Sequence, residues 1–128
     1  MQKFNKLYWA IIGSGDVVQR LVKNSFKYKN YSEPVIVISN NLNEAKSFSK
    51  KYNIKNYSNR ISDIKKFSQI NCVYIATPPH AHYKYINILS NLKMNLLCEK
   101  PLVMNYKELS SVTKLIKKNK INLVTCYY

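Results

Sequence analysis

Short apolar runs that stop abruptly constrain this chain more than any other feature. Leu7-Tyr8-Trp9-Ala10-Ile11-Ile12 stops at Gly13-Ser14-Gly15, Cys72-Val73-Tyr74-Ile75-Ala76 at Thr77-Pro78-Pro79, and Asn95-Leu96-Leu97-Cys98 at Glu99-Lys100-Pro101. Val35-Ile36-Val37-Ile38 forms another run, preceded by Pro34. Each is too short for a stable helix, and none alternates apolar with polar residues as a strand with one wet face does. They read as strands buried on both faces.

The stretches between them carry helical periodicity. Residues 16 to about 23 form a short helix, with a polar loop over residues 27–32. Asn43 is expected to cap a helix running to about Tyr52, with Ala45, Phe48 and Tyr52 on one face. Residues 54–60 hold a brief edge strand near Tyr57, and Ser62-Asp63 opens a short helix ending around Phe67. The next helix is expected from about His82 to Leu92, burying Tyr85, Ile88, Leu89 and Leu92. Asn105 followed by Glu108 is a capping box for the helix Tyr106–Asn119. Residues 122–126 close the chain as a last strand. Apolar strands alternating with helices predict an α/β fold: one doubly wound parallel sheet covered on both faces. At 128 residues the chain holds one domain, residues 1–128, and not two.

Composition narrows the functional classes. No apolar run approaches the roughly 18 residues a membrane helix needs, and the run after Lys6 is too short for a signal-peptide core. A cytoplasmic protein without membrane attachment is expected. Lys and Arg total 21 against 6 Asp and Glu, a net charge of +15. That excess would ordinarily suggest nucleic acid, but only Arg20 and Arg60 are arginines, and the lysines are spread along the chain. The joint abundance of Lys, Asn, Ile and Tyr matches a bias toward A/T-rich codons, so the charge reads as a solvated lysine surface. Cys72, Cys98 and Cys126 form no Cys-x-x-Cys pair and read as small buried residues in a reducing compartment. His80 and His82 resemble a His-x-His pair, but no third histidine exists, and no metal site is expected.

In a doubly wound sheet, ligands bind outside the carboxyl ends of the strands, where strand order reverses. Three motifs fall at such ends. In Gly13-Ser14-Gly15-Asp16-Val17-Val18, Gly13 permits a tight turn and Gly15 lets backbone approach a pyrophosphate over a helix N-terminus. Val18 stands where Gly or Ala is usual. The second strand ends in Ser39-Asn40-Asn41, where an acid would favour a free ribose 2′-hydroxyl and an arginine a 2′-phosphate; neither is present, so the choice between NAD and NADP stays open. After the fourth strand, Pro78 and Pro79 stiffen the turn so that Thr77 lies against a bound cofactor. Lys100, between Glu99 and Pro101, has a restricted backbone and is the candidate catalytic residue, donating to a hydroxyl or carbonyl undergoing hydride transfer. Glu99 would hold it charged or oriented.

These residues resemble the Gfo/Idh/MocA oxidoreductases. The resemblance runs from Tyr8-Trp9-Ala10-Ile11-Ile12-Gly13-Ser14-Gly15-Asp16, through Tyr74-Ile75-Ala76-Thr77-Pro78-Pro79 and His82, to Glu99-Lys100-Pro101, and Tyr127-Tyr128 is similar to the end of the last strand in one branch. It implies a Rossmann-type domain that binds NAD or NADP and acts on sugars, cyclitols or related carbinols. The glycine loop (Gly13, Ser14, Gly15, Asp16, Val17) would hold the pyrophosphate, and Ser39 and Asn40 the adenosine ribose. Ala76, Thr77, Pro78, Pro79 and His82 would face the nicotinamide half. Glu99 and Lys100 would also bind the cofactor, with Lys100 at the nicotinamide ribose, and Lys100 would assist the reacting carbinol. Members of the family continue into a second, substrate-binding domain that these 128 residues do not form.

Three readings follow: the cofactor domain of an oxidoreductase whose substrate domain lies elsewhere, a dinucleotide-binding module without catalysis, or a basic protein that binds nucleic acid. The uncharged Ser39-Asn40 pair predicts modest discrimination between the two cofactors.

Overall fold

The computed structural model describes residues 5–127. The elements run β1 (Leu7–Ile12), α1 (Asp16–Ser25), β2 (Ser32–Ile38), α2 (Leu42–Tyr52), β3 (Asn56–Ser58), a 3-10 helix (Ile61–Lys66), β4 (Cys72–Ile75), α3 (Pro79–Asn91), β5 (Asn95–Cys98), α4 (Tyr106–Asn119) and β6 (Leu123–Thr125). All six strands are parallel, in the order β3-β2-β1-β4-β5-β6. The chain is thus a single Rossmann-like α/β domain. Order reverses at β1, which has β2 on one side and β4 on the other.

The period-2 geometry of a strand divides the apolar runs between two cores. Ala10 and Ile12 of β1 join Ile36, Ile38, Val73 and Ile75 on one face, under Ile86 and Leu89 of α3 and Val112 of α4. Ile11 points the other way and packs with Val37 and Tyr74 beneath Val18 and Val22 of α1 and Phe48 of α2. Each fully buried aliphatic side chain contributes roughly 1.5–3 kcal/mol by leaving water. Val18, the residue that departs from the usual glycine fingerprint, is wholly buried in this second core.

The structure shifts several boundaries read from the sequence. Strand β2 begins at Ser32 and so contains Pro34, because its register against β1 slips between Trp9 and Ala10. Trp9 pairs with Pro34 and Ala10 with Ile36, so the irregularity falls beside a residue that has no N–H to give the ladder. The cap of α2 is Asn41, not Asn43: its side chain accepts hydrogen bonds from the amides of Asn43 and Glu44 at 3.0 and 3.4 Å. Helix α3 starts at Pro79, three residues early, since proline suits the first helical turn. Its buried face holds His82, Tyr85, Ile86 and Leu89, whereas Ile88 and Leu92 are only partly covered. The Asn105 cap stands as expected, accepting from the Glu108 amide at 2.9 Å while the Glu108 carboxylate accepts from the Met104 amide at 2.9 Å. Strand β6 ends at Thr125, leaving Tyr127 exposed beyond it, and Tyr128 lies outside the described residues. Among the described residues, no helix is long and apolar enough to cross a membrane.

Candidate functional site

The carboxyl ends of β1, β2 and β4 enclose a cleft of about 450 Å³. Ladder hydrogen bonds carry the order of the sheet into its walls: the Gly13 amide donates to Ile38 O and the Ala76 amide to Ile12 O, both at 2.8 Å. The chain leaving each strand is therefore fixed for its first residue. Gly13, Ser14, Gly15, Ser39, Asn40, Ala76, Thr77 and Pro78 all line this cleft. These residues come from three separate stretches of sequence.

The two glycines serve different ends. Gly13 has φ +110°, and a Cβ built on it would lie 2.5 Å from Ala76 O and 2.8 Å from the Ala76 carbonyl carbon. No side chain fits there; the loops after β1 and β4 touch backbone to backbone. Gly15 has an ordinary φ of −74° as the N-cap of α1, and a Cβ on it would meet nothing within 4 Å. The protein does not need that space for its own packing. An open surface before the first amides of a helix is the cradle a pyrophosphate requires. Opposite it, the Thr77 hydroxyl oxygen is buried with no hydrogen-bond partner among the described residues. A buried polar atom left unpaired in this way is uncommon, and a ligand hydroxyl or amide laid across the cleft would satisfy it. Both observations fit a dinucleotide.

The remaining candidates stand apart from the cleft wall. Asp16 and Val17 are exposed in the first turn of α1, with Asp16 in the adjoining groove beside Gln19, Glu44 and Lys51. Pro79 opens α3. His82 is completely buried, with Nδ1 2.9 Å from Pro101 O and Nε2 2.8 Å from Thr77 O. It does not reach the cleft; it ties the turn after β4 to the turn after β5. His80, two residues earlier, does line the cleft.

At the third motif, the Glu99 amide extends the β4–β5 ladder by donating to Ile75 O at 2.9 Å. Its carboxylate is buried and turned inward, accepting from the Tyr74 hydroxyl. Cys126 faces the same carboxylate; burial first, and Glu99 second, push its thiol up to about 11. Glu99 thus has inward partners that the motif alone did not reveal. Lys100 is exposed at the end of β5, joined to Pro101 by a cis peptide bond. Through His82, Pro101 is held against Thr77, so the lysine-bearing turn adjoins the cleft. Among the described residues, no three His, Cys, Asp or Glu side chains converge as a metal site.

Sequence reasoning missed Glu44, Tyr85 and His80 in the cleft lining. Glu44 is the informative omission. Its Oε2 lies 3.4 Å from Ser14 Oγ and 3.5 Å from Ser39 Oγ, and the Ser14 hydroxyl also lies 3.2 Å from Ser39 Oγ. The end of β2 carries no acid of its own, and this carboxylate comes to Ser39 from the first turn of α2. Once Asn41 is recognised as the cap, Glu44 becomes the third helical residue, and helical side chains lean back toward the N-terminus.

The model of an oxidoreductase family with an NAD-binding Rossmann fold matches residues 7–127. Among curated proteins, the chain is 27% identical over 97% of its length to an oxidoreductase of Formosa agariphila, of which it covers 39%. It is also 27% identical over 91% of its length to the scyllo-inositol 2-dehydrogenase (NADP(+)) of Bacillus subtilis, covering 35% of that protein. The solved structure of GenD2 from gentamicin A biosynthesis, in complex with NAD, shares the fold with a TM-score of 0.86 at 15% identity, over 94% of this chain and 34% of that one. The chain spans less than two fifths of the length of the curated relatives it matches.

Proposed function

The chain belongs to the Gfo/Idh/MocA oxidoreductases through their NAD-binding Rossmann domain, and on that premise we propose that it is the cofactor-holding part of an enzyme acting on CH–OH groups of sugars, cyclitols or related carbinols. The cofactor is NAD or NADP, which when bound supplies the hydride acceptor or donor. The observation that carries the reading is the contrast between the glycines: Gly13 closes the loop on Ala76, while Gly15 leaves open the approach to the N-terminus of α1.

The residues divide the work by position. Backbone around Gly13, Ser14 and Gly15 holds the pyrophosphate at the start of α1, with Asp16 and Val17 shaping the first turn. Ser39 and Asn40 meet the adenosine ribose. Ala76, Thr77 and Pro78 flank the nicotinamide half, with the unpaired Thr77 hydroxyl as its polar contact. Pro79 and His82 set the turn that presents them. Lys100 hydrogen-bonds the carbinol oxygen and carries its proton, and Glu99 anchors the strand end from below. The whole chain, residues 1–128, serves as one cofactor domain, and the substrate wall comes from a separate domain outside it. Its three free thiols suit the reducing cytoplasm.

A second reading, a dinucleotide-binding module that performs no chemistry, is favoured by a cleft lining that holds Gly13, Gly15 and Thr77 but not Lys100. Hydride transfer needs the carbinol held in near-attack geometry, and positioning of this kind is worth roughly 7–11 kcal/mol of barrier. Fluorescence titration with NADH and NADPH tests the shared premise: saturable binding is expected, and its absence refutes both readings. Absorbance of the reduced nicotinamide, followed with a panel of sugars and cyclitols, separates them. Turnover only when a substrate domain is supplied, lost again in Lys100→Ala, supports the enzyme reading.

A further inference from the structure

We propose that Glu44 selects the cofactor, favouring NAD(H) by accepting hydrogen bonds from a free ribose 2′-hydroxyl and repelling a 2′-phosphate. The inference rests on the dinucleotide reading above and adds to it a residue and a direction of preference.

The ribose end of the cleft lies where β2 stops, at Ser39 and Asn40, and neither residue carries charge. Of the Asp, Glu, Lys and Arg side chains among the described residues, Glu44 alone lines the cleft. This occurs in a chain with 21 basic and 6 acidic residues, where chance would supply a lysine. A 2′-hydroxyl offers a hydrogen to a carboxylate, whereas a 2′-phosphate offers acceptors and between one and two negative charges.

Local hydrogen bonding leaves the carboxylate available for this role. The Ser14 hydroxyl has one hydrogen and two acceptors in reach, Ser39 Oγ at 3.2 Å and Glu44 Oε2 at 3.4 Å. The Ser39 hydroxyl reaches Glu44 only at 3.5 Å. Such long contacts are weak, so the carboxylate keeps acceptor capacity. Asn41 fixes its position by capping α2 through the amides of Asn43 and Glu44.

The nearby cation is held outside the cleft. Lys51 shares the adjoining groove with Glu44, Asp16 and Gln19, but its Nζ donates to Gln19 Oε1 at 2.7 Å. Arg20 and Lys23 lie further along α1, in a groove that Glu44 does not line.

Equilibrium binding of NADH and NADPH to the full chain tests the proposal, using the wild type, Glu44→Gln and Glu44→Lys. The wild type is expected to bind NADH roughly tenfold more tightly than NADPH at low salt, a ratio that shrinks as salt screens the charge. Glu44→Gln removes the charge and brings the ratio close to one, mainly by tightening NADPH. Glu44→Lys, which reverses the charge, turns the preference toward NADPH. Because Glu44 is exposed, circular dichroism of both variants should match the wild type. A wild type that prefers NADPH, or a ratio unmoved by either substitution, overturns the role of Glu44 and leaves the dinucleotide reading standing. Failure of the wild type to bind either cofactor overturns that reading and this inference with it.

Discussion

At residues 13–15 the candidate site is made by leaving side chains out, whereas at residues 99–101 it is made by burying polar side chains against one another. The glycine loop is mostly backbone: one glycine fits against Ala76 with no room for a methyl group, and the next faces open space. The other corner is held by the Glu99 carboxylate under the Tyr74 hydroxyl and by the His82 ring between two carbonyl oxygens. The first arrangement fails by steric overlap and the second by stranded hydrogen-bonding groups. The two ends should therefore respond differently to small substitutions.

The largest effect is expected at Gly13. Gly13→Ala puts a Cβ against Ala76 O in a backbone conformation that side chains rarely adopt, and should cost about 3–5 kcal/mol in urea unfolding. A loss below about 1 kcal/mol would show that the two loops separate easily.

At the opposite corner, His82→Leu keeps much of the volume but leaves Thr77 O and Pro101 O without their ring contacts. A loss of about 2–4 kcal/mol is expected from the same unfolding measurement. If the leucine variant matched the wild type, the two turns would be held by packing rather than by the imidazole.

Gly15→Val sharpens the contrast from within the glycine loop itself. Its φ is ordinary and its surroundings are empty, so unfolding should move by less than about 1 kcal/mol. Affinity for NADH should nevertheless fall tenfold or more, about 1.4 kcal/mol, because the valine occupies the pyrophosphate cradle. Unchanged affinity by calorimetry would remove that cradle from the site.

The smallest effect is a pH dependence. Burial pushes Cys72 and Cys98 up to about 12, above their unfolded value of 9.0. The folded chain then keeps protons that the unfolded chain releases, so stability is full below pH 9 and declines as pH rises toward 12. At pH 9 the loss is about 0.4 kcal/mol per thiol. Unfolding midpoints at pH 7 and 9.5 should differ less in Cys98→Ala than in the wild type. An equal slope in both would show that the thiol is not held protonated.

How much could be read in the sequence followed the same division. Features set by local backbone chemistry were legible: the run ending at Gly13, the Asn105 cap, and the strands that stop at Thr77 and Glu99. Features set by packing were not. Pro34 lies inside β2 because β1 and β2 slip by one residue beside it, and only the pairing reveals that. His82 looked like a cofactor contact, yet its partners are carbonyls of two turns, one 5 residues before it and one 19 residues after it. Glu44 escaped notice because the acid was sought at the strand end, and moving the cap from Asn43 to Asn41 changes which way its side chain leans. Glu99 drew notice by its adjacency to Lys100, whereas the Tyr74 hydroxyl that donates to its carboxylate comes from 25 residues earlier in the chain.

The central position of β1 also governs the order in which the sheet can form during synthesis. β1 is the first strand of the described chain to be made, but its neighbour β4 lies far downstream, as the hydrogen bond between Tyr8 and Asn71 across 63 residues records. At about 5–20 residues per second, an apolar strand edge waits several seconds for its partner to leave the ribosome. Until then the β1–β2 pair presents an unsatisfied edge of Trp9, Ala10, Ile11 and Ile12. Parallel pairing across long loops is slow in any case. A nascent chain stalled before residue 72 should therefore recruit holdase chaperones, and one that has exposed β4 should release them.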